Sequence, residues 1–173
     1  MEKIEVFHKL YCSVHQAHRE APEIFTDHEC NRILTAIMAG KSFSWKVIGI
    51  TEAALVKLAE TDFKLMPGHG ITRAHLVPRI DTVRKLLHPE LPFAPERFIE
   101  FWVSNDSTVM CARGENKYSV PPHLLIVNDQ GELFSCKGKL AGWHHKRAER
   151  KYLKDLYDGF KSGDITSTTA QVS

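Results

Sequence analysis

The chain has 173 residues, of which 43% are hydrophobic and 25% are charged, and its formal net charge at pH 7 is +2. A chain of this length can bury a core without disulfide or metal staples, and this composition excludes a fibrous or intrinsically disordered protein. A net charge this small does not by itself indicate a polyanionic partner.

Segments with helical spacing of apolar residues and short β-like runs follow one another along the chain. Capping residues, glycines and prolines separate these segments. In chain order we predict a helix over 4–18, a helix capped by Thr26 or Asp27 that ends at Gly40, a β-like run over 45–50, a helix over 52–60 capped by Thr51, an extended segment over 71–77, a helix capped by Asp81, a helix over 96–102 with Pro95 in its first turn, a strand over 108–111, a hairpin over 124–134 and a helix over 144–160.

Helices and short strands alternate irregularly, without a βαβ rhythm. The predicted fold class is therefore α+β: a mostly helical single domain with short β-hairpins. We expect the globular domain to span residues 1–160 and residues 161–173, rich in Ser and Thr, to form a flexible polar tail. The helix, turn and helix over 27–60 either pack into the core or dock on DNA.

No stretch of the chain approaches the roughly 20 apolar residues of a membrane span, so no membrane partner is expected. The N-terminus lacks the apolar region of a signal peptide. The four cysteines are widely scattered and form no Cys-x-x-Cys pair, which is typical of reduced thiols. These features predict a cytoplasmic location, or a nuclear one if the source is eukaryotic.

Residues that suit phosphodiester hydrolysis lie between positions 70 and 117. His75 lies in a short extended segment closed by Pro78, Asn105 precedes a strand, and Glu115 and Asn116 follow that strand. Hydrolysis needs a base to activate water and a cation to take up charge on the phosphate. A neutral imidazole suits the base, and amide or carboxylate oxygens suit Mg²⁺ or Mn²⁺.

The string His-Leu-Val-Pro from His75, the later Asn105, and the Asn-Lys pair at Asn116 resemble the HNH motif of the ββα-metal nucleases. The resemblance implies that His75 is the general base, that Asn105 braces the loop and orients it, and that Asn116 binds the divalent metal. Arg73 is similar to the arginine that approaches the scissile phosphate in non-specific nucleases of that superfamily. A ββα-metal motif is the fold that the resemblance implies for this segment.

The segment also departs from the family pattern. Ala74 stands where many HNH proteins have a second metal ligand, and the gap between His75 and Asn105 is long enough to hold two helices. Glu115 and His69 are further candidate metal ligands. The alternative to a catalytic site is that His75 is satisfied within a core strand and Asn116 caps a helix.

Basic residues are concentrated toward the C-terminus. Spacings of three and four place Arg147, Arg150, Lys151 and Lys154 on one helical face, opposite Leu153 and Leu156. Such a face either contacts phosphates or is simply solvated. The candidate nucleic-acid-binding residues are Arg79, Lys146, Arg147, Arg150, Lys151 and Lys154.

Taken together, these residues favour a metal-dependent endonuclease that uses Mg²⁺ or Mn²⁺ and acts on nucleic acid, with DNA preferred. One alternative is a non-catalytic nucleic-acid-binding or regulatory protein, and another is a protein-binding module that uses residues 93–102. Zinc is an alternative ion, because four residues near the N-terminus offer ligand atoms, although their spacing matches no standard zinc finger. These four are Cys12, His15, His28 and Cys30.

Overall fold

The structure is a computed structural model that describes residues 2–38, 46–66, 68–117, 121–125 and 147–164. Within these ranges the chain forms six helices and four strands, which confirms the predicted α+β, mostly helical single domain. The elements are α1 (Glu2–Glu20), α2 (Asp27–Met38), β1 (Lys46–Ile50), α3 (Glu52–Ala59), β2 (Ile71–His75), α4 (Arg79–Leu87), α5 (Pro95–Ser104), β3 (Ser107–Ala112), β4 (Leu124–Leu125) and α6 (Arg147–Ser162).

Local capping explains where several helices begin. The hydroxyl of Thr51 accepts a hydrogen bond from the backbone N–H of Ala54, as expected for the N-cap of α3. Pro95 occupies the first turn of α5, where its missing N–H costs nothing. Helix α4 differs from the prediction, because it begins at Arg79 with Pro78 at the N-cap, and Asp81 lies inside its first turn.

The four strands form one mixed sheet in the order β2-β3-β1-β4. Strand β3 runs parallel to β1 and antiparallel to β2, and β4 is antiparallel to β1. Helices α4 and α5 separate β2 from β3 in the chain, as the long gap between His75 and Asn105 led us to expect. A parallel pair such as β1 and β3 needs a long crossover connection, and the intervening helices provide it.

Gly49 of β1 allows β4 to approach closely. A Cβ atom at this position would lie 2.5 Å from Cδ2 of His123 and 2.9 Å from the backbone oxygen of Leu124. Because both separations are shorter than any real Cβ contact, only glycine fits without a shift of the β1–β4 pair.

The core has two parts. The sheet core packs α3 and α6 against the sheet, and the helical core joins α1, α2, α4 and α5. In the helical core, Tyr11 stacks on Phe98 with ring centroids 4.4 Å apart, and its hydroxyl donates to the backbone oxygen of Leu86. Burying these rings contributes both apolar area and a satisfied hydroxyl.

Three further expectations concern the C-terminal tail, the predicted hairpin and membrane spans. Helix α6 continues to Ser162, so it includes the first two residues of the expected polar tail, and residues 165–173 lie outside the described residues. The return strand of the hairpin predicted over 124–134 also lies outside them. No helix in the described ranges is both long and apolar enough to cross a membrane.

Candidate functional site

The first group of predicted site residues lies where β2 ends. His75 is the last residue of β2 and pairs with Thr108 of β3. Its Nε2 atom lies 3.1 Å from Oδ1 of Asp106 and 2.8 Å from Nη2 of Arg79. The same Nη2 donates to Oδ1 of Asp106. We call these three residues the His75–Arg79–Asp106 cluster.

This cluster is withdrawn from water. The exposed fractions of the side chains are 14% for His75, 9% for Arg79 and 1% for Asp106. The Arg79 guanidinium also lies 4.5 Å from the ring centroid of Trp102. Burial lowers the pKa of Arg79, and the charge and hydrogen bond of Asp106 oppose that shift. The charges of the buried Asp106 carboxylate and Arg79 guanidinium compensate each other, and this ion pair connects the sheet to the helical core.

Two residues in this region have contacts other than those expected. Arg79, a candidate nucleic-acid contact, turns its guanidinium toward Asp106 and Trp102 rather than toward solvent. Asn105, the expected brace of His75, is the C-cap of α5, and its Nδ2 donates to the backbone oxygen of Phe101 at 2.8 Å. Its neighbour Asp106 makes the contact with His75. Asp106 was not among the residues predicted for the site, although the sequence shows its carboxylate directly after Asn105.

The second group of predicted residues lies where β3 ends. The Glu115 carboxylate accepts hydrogen bonds from Oγ1 of Thr51 and from the backbone N–H of Ala112, each at 2.6 Å. Asn116 follows in the same turn and is exposed. Glu115 therefore stabilises the turn after β3 and ties it to the N-cap of α3.

His69 and Arg73 are placed along β2. His69 lies two residues before the strand begins, and its Nε2 is 3.6 Å from the carboxylate of Glu60. Arg73 lies at the centre of β2, opposite Met110. His69 therefore lies toward the end of the strand pair that carries Glu115, not toward the end that carries His75.

The strand register keeps the two groups apart. His75 pairs with Thr108, and Ile71 pairs with Ala112, which leads into the turn of Asn116. Four residues at about 3.3 Å each separate the two ends by about 13 Å. His75 and the strand end that leads into the turn of Asn116 therefore lie at opposite ends of the β2–β3 pair.

The helix of a ββα-metal motif would directly follow β3. In the described residues between β3 and β4, which are 113–117 and 121–123, the chain forms turns and a short bridge and no helix. Among the described residues, none that follow β3 directly form a helix.

Helix α6 presents the predicted basic surface. Leu153 and Leu156 are buried in the sheet core, and Arg147, Lys151 and Lys154 are exposed, so the two faces are arranged as expected. We call Arg147, Lys151 and Lys154 the basic face of α6. Arg150 lies beside it and is bonded to the carboxylate and backbone oxygen of Asp62.

A groove of about 870 Å³ borders this basic face. Asp62 and Phe63, from the turn after α3, form its other side. The Arg150–Asp62 bond holds that turn against α6. Lys146, the remaining candidate of the basic run, lies outside the described residues.

The four candidate zinc ligands near the N-terminus have separate partners. His15 is buried, with Nε2 2.9 Å from the backbone oxygen of Pro89. Cys30 is also buried, Cys12 contacts His8 of its own helix, and His28 is exposed. Among the described residues, the group of three or more His, Cys, Asp or Glu side chains with converging ligand atoms is a different one: His18, Asp27 and His88.

Comparison of the chain with protein-family models, with curated proteins and with solved structures finds no match in any of the three.

Proposed function

We propose that this protein is a non-catalytic nucleic-acid-binding or regulatory protein that contacts the phosphate backbone through the basic face of α6. The observation that carries the proposal is the fixed orientation of this helix. Because Leu153 and Leu156 are buried, Arg147, Lys151 and Lys154 project together into solvent. Converging cations of this kind neutralise phosphates and release the counterions condensed on them.

The contacts of the basic face leave its cations accessible to a ligand. Lys151 pairs with Asp155 at 2.7 Å, but this i,i+4 pair is exposed and such pairs contribute little. Arg150 instead holds the turn at Asp62 and supports the groove. Contacts to phosphate fix the position of a protein on a duplex without reading the base sequence. We therefore expect the protein to bind duplexes of different sequence with similar affinity.

Hydrolysis of the bound nucleic acid stays a prediction of the resemblance alone. A base at His75 and a metal at Asn116 would have to act on one phosphate, whereas the strand register puts His75 about 13 Å from the strand end that leads into the turn of Asn116. DNA as the preferred ligand and a cytoplasmic location are likewise proposals. The thiols of Cys30 and Cys111, which are buried and not in disulfides, support the location.

Arg147→Gln combined with Lys154→Gln should weaken binding of a fluorescent DNA duplex for all sequences alike. The slope of log affinity against log salt concentration should become shallower by about two units, since each lost phosphate contact removes about one. Fluorescence anisotropy across a salt series measures this slope.

The matched control for this experiment is Lys9→Gln combined with Arg19→Gln. Both residues are exposed on α1, so the control removes the same charge from a helix of the other core. The slope of log affinity against log salt concentration should be the same for the control variant as for the wild type. Equal changes in both double variants would assign binding to net charge and refute the role of α6.

His75→Ala should lower the free energy of unfolding by about 1.5–3 kcal/mol, because it removes a hydrogen-bond partner of the buried, charged Arg79–Asp106 pair. Because the proposed function is non-catalytic, wild-type protein incubated with plasmid DNA and Mg²⁺, Mn²⁺ or EDTA should leave the plasmid uncut. Gel analysis of the plasmid and urea denaturation measure the two effects. Metal-dependent cleavage that disappears in a fully stable His75→Ala variant would instead support the nuclease hypothesis.

A further inference from the structure

Three side chains from different helices converge beside the helical core. His18 lies in the last turn of α1, Asp27 begins α2, and His88 is the C-cap of α4. One ligand atom from each side chain lies within 4.8 Å of the others. We propose that His18, Asp27 and His88 bind one divalent transition-metal ion of the zinc class.

The two imidazoles face the same carboxylate oxygen. The Nε2 atoms of His18 and His88 each lie 3.7 Å from Oδ1 of Asp27. A hydrogen bond between nitrogen and oxygen is shorter, about 2.7–3.2 Å. Ligand atoms of a tetrahedral zinc ion are about 3.4 Å apart when the bonds are about 2.0–2.1 Å long. The observed separations are thus closer to ligand spacing than to direct hydrogen bonds.

Neighbouring groups orient two of the ligands. Nδ1 of His18 lies 2.7 Å from the backbone oxygen of Phe25, so Nδ1–H donates there, and in the neutral imidazole the lone pair is on Nε2, the atom 3.7 Å from Oδ1 of Asp27. Nε of Arg84 donates to Oδ2 of Asp27 at 2.9 Å, which leaves Oδ1 toward the histidines. Metal-binding histidines and carboxylates commonly have such outer partners, which fix the tautomer and the orientation.

The degree of exposure suits an ion with an open coordination position. The exposed fractions are 16% for His18, 23% for Asp27 and 63% for His88. Two imidazoles and one carboxylate match three-ligand zinc sites, in which water occupies the fourth position. Imidazole nitrogen favours zinc, cobalt or nickel over Mg²⁺, which prefers oxygen ligands.

Cobalt(II) is the probe for this site, since its visible absorption reports nitrogen and oxygen coordination and Zn²⁺ should displace it. The full chain should carry His144→Gln and His145→Gln throughout, because this adjacent pair outside the described residues could bind ions itself. We expect one Co²⁺ per chain, displacement by Zn²⁺ but not by Mg²⁺, and a higher melting temperature when Zn²⁺ is present. Ion binding to the folded state alone causes that shift.

His88→Gln should weaken Co²⁺ binding at least about tenfold and abolish the rise in melting temperature. The variant should fold, since His88 is mostly exposed. His28→Gln is the matched control, because His28 is an exposed histidine beside Asp27 that is not among the three ligands. Equal binding by the two variants, no binding by the parent chain, or a thiolate charge-transfer band would overturn the proposal.

Discussion

Asp106→Ala is expected to lower the free energy of unfolding by about 3–5 kcal/mol, the cost of removing one partner of a buried ion pair. The Asp106 carboxylate is 1% exposed, accepts a hydrogen bond from Arg79 and lies 3.1 Å from Nε2 of His75. Without it the buried guanidinium beside Trp102 loses the carboxylate with which it pairs. Urea denaturation followed by tryptophan fluorescence measures the loss, and the emission of Trp102 should also change.

Two further variants separate this buried effect from general loss of charge. Asp81→Ala removes a carboxylate that is 46% exposed and paired with Arg84, so it should cost no more than about 1 kcal/mol. Arg79→Met combined with Asp106→Leu replaces the whole ion pair by apolar groups and should recover most of the lost stability. If Asp81→Ala and Asp106→Ala lower the free energy of unfolding equally, the His75–Arg79–Asp106 cluster does not stabilise the contact between the sheet and the helical core.

The local elements of the fold were largely predictable, because their signals lie within a few residues of each helix or strand. Thr51 and Pro95 were identified as helix starts from residue type alone, and both predictions are confirmed. The apolar spacing of Leu153 and Leu156 likewise predicted the buried face of α6. Such features depend on backbone hydrogen bonding at helix ends and on helical periodicity, both of which residue type and spacing in the sequence indicate directly.

The arrangement of the strands was not predictable in the same way. The sequence placed strand-like runs at β2 and β3 but did not indicate that β3 pairs in parallel with β1. That pairing depends on how two cores pack, not on any single segment. The register then decides which polar residues meet, because it places His75 and Asn116 at opposite ends of one strand pair.

The side-chain clusters were the least predictable feature. Asp106 is 31 residues from His75 in the chain, and spacing alone did not distinguish it from Asn105 as the partner. Histidines and carboxylates that come together only when three helices pack form no motif in the sequence. His18, Asp27 and His88 belong to this kind of cluster.

Leu153→Ala should lower the free energy of unfolding by about 2–5 kcal/mol, because it removes buried apolar atoms and leaves a cavity that the sheet core fills only in part. Leu153 is 0% exposed and packs in the same cluster as Leu55 and Leu58 of α3. Urea denaturation measures this cost. Leu153 fixes the orientation of the basic face of α6. Under conditions where the variant is only marginally folded, it should therefore also bind DNA more weakly than the wild type.

Tyr152→Ala is the matched control on the preceding residue of α6. Its side chain is 43% exposed, so the substitution should change the free energy of unfolding by only about 0.5 kcal/mol. The contrast between these neighbours tests which face of α6 is buried, and hence which face is presented to phosphates. If Tyr152→Ala costs as much as Leu153→Ala, the helix is rotated from the orientation described. Arg147, Lys151 and Lys154 would then not form one exposed face, and the proposed binding surface would be lost with it.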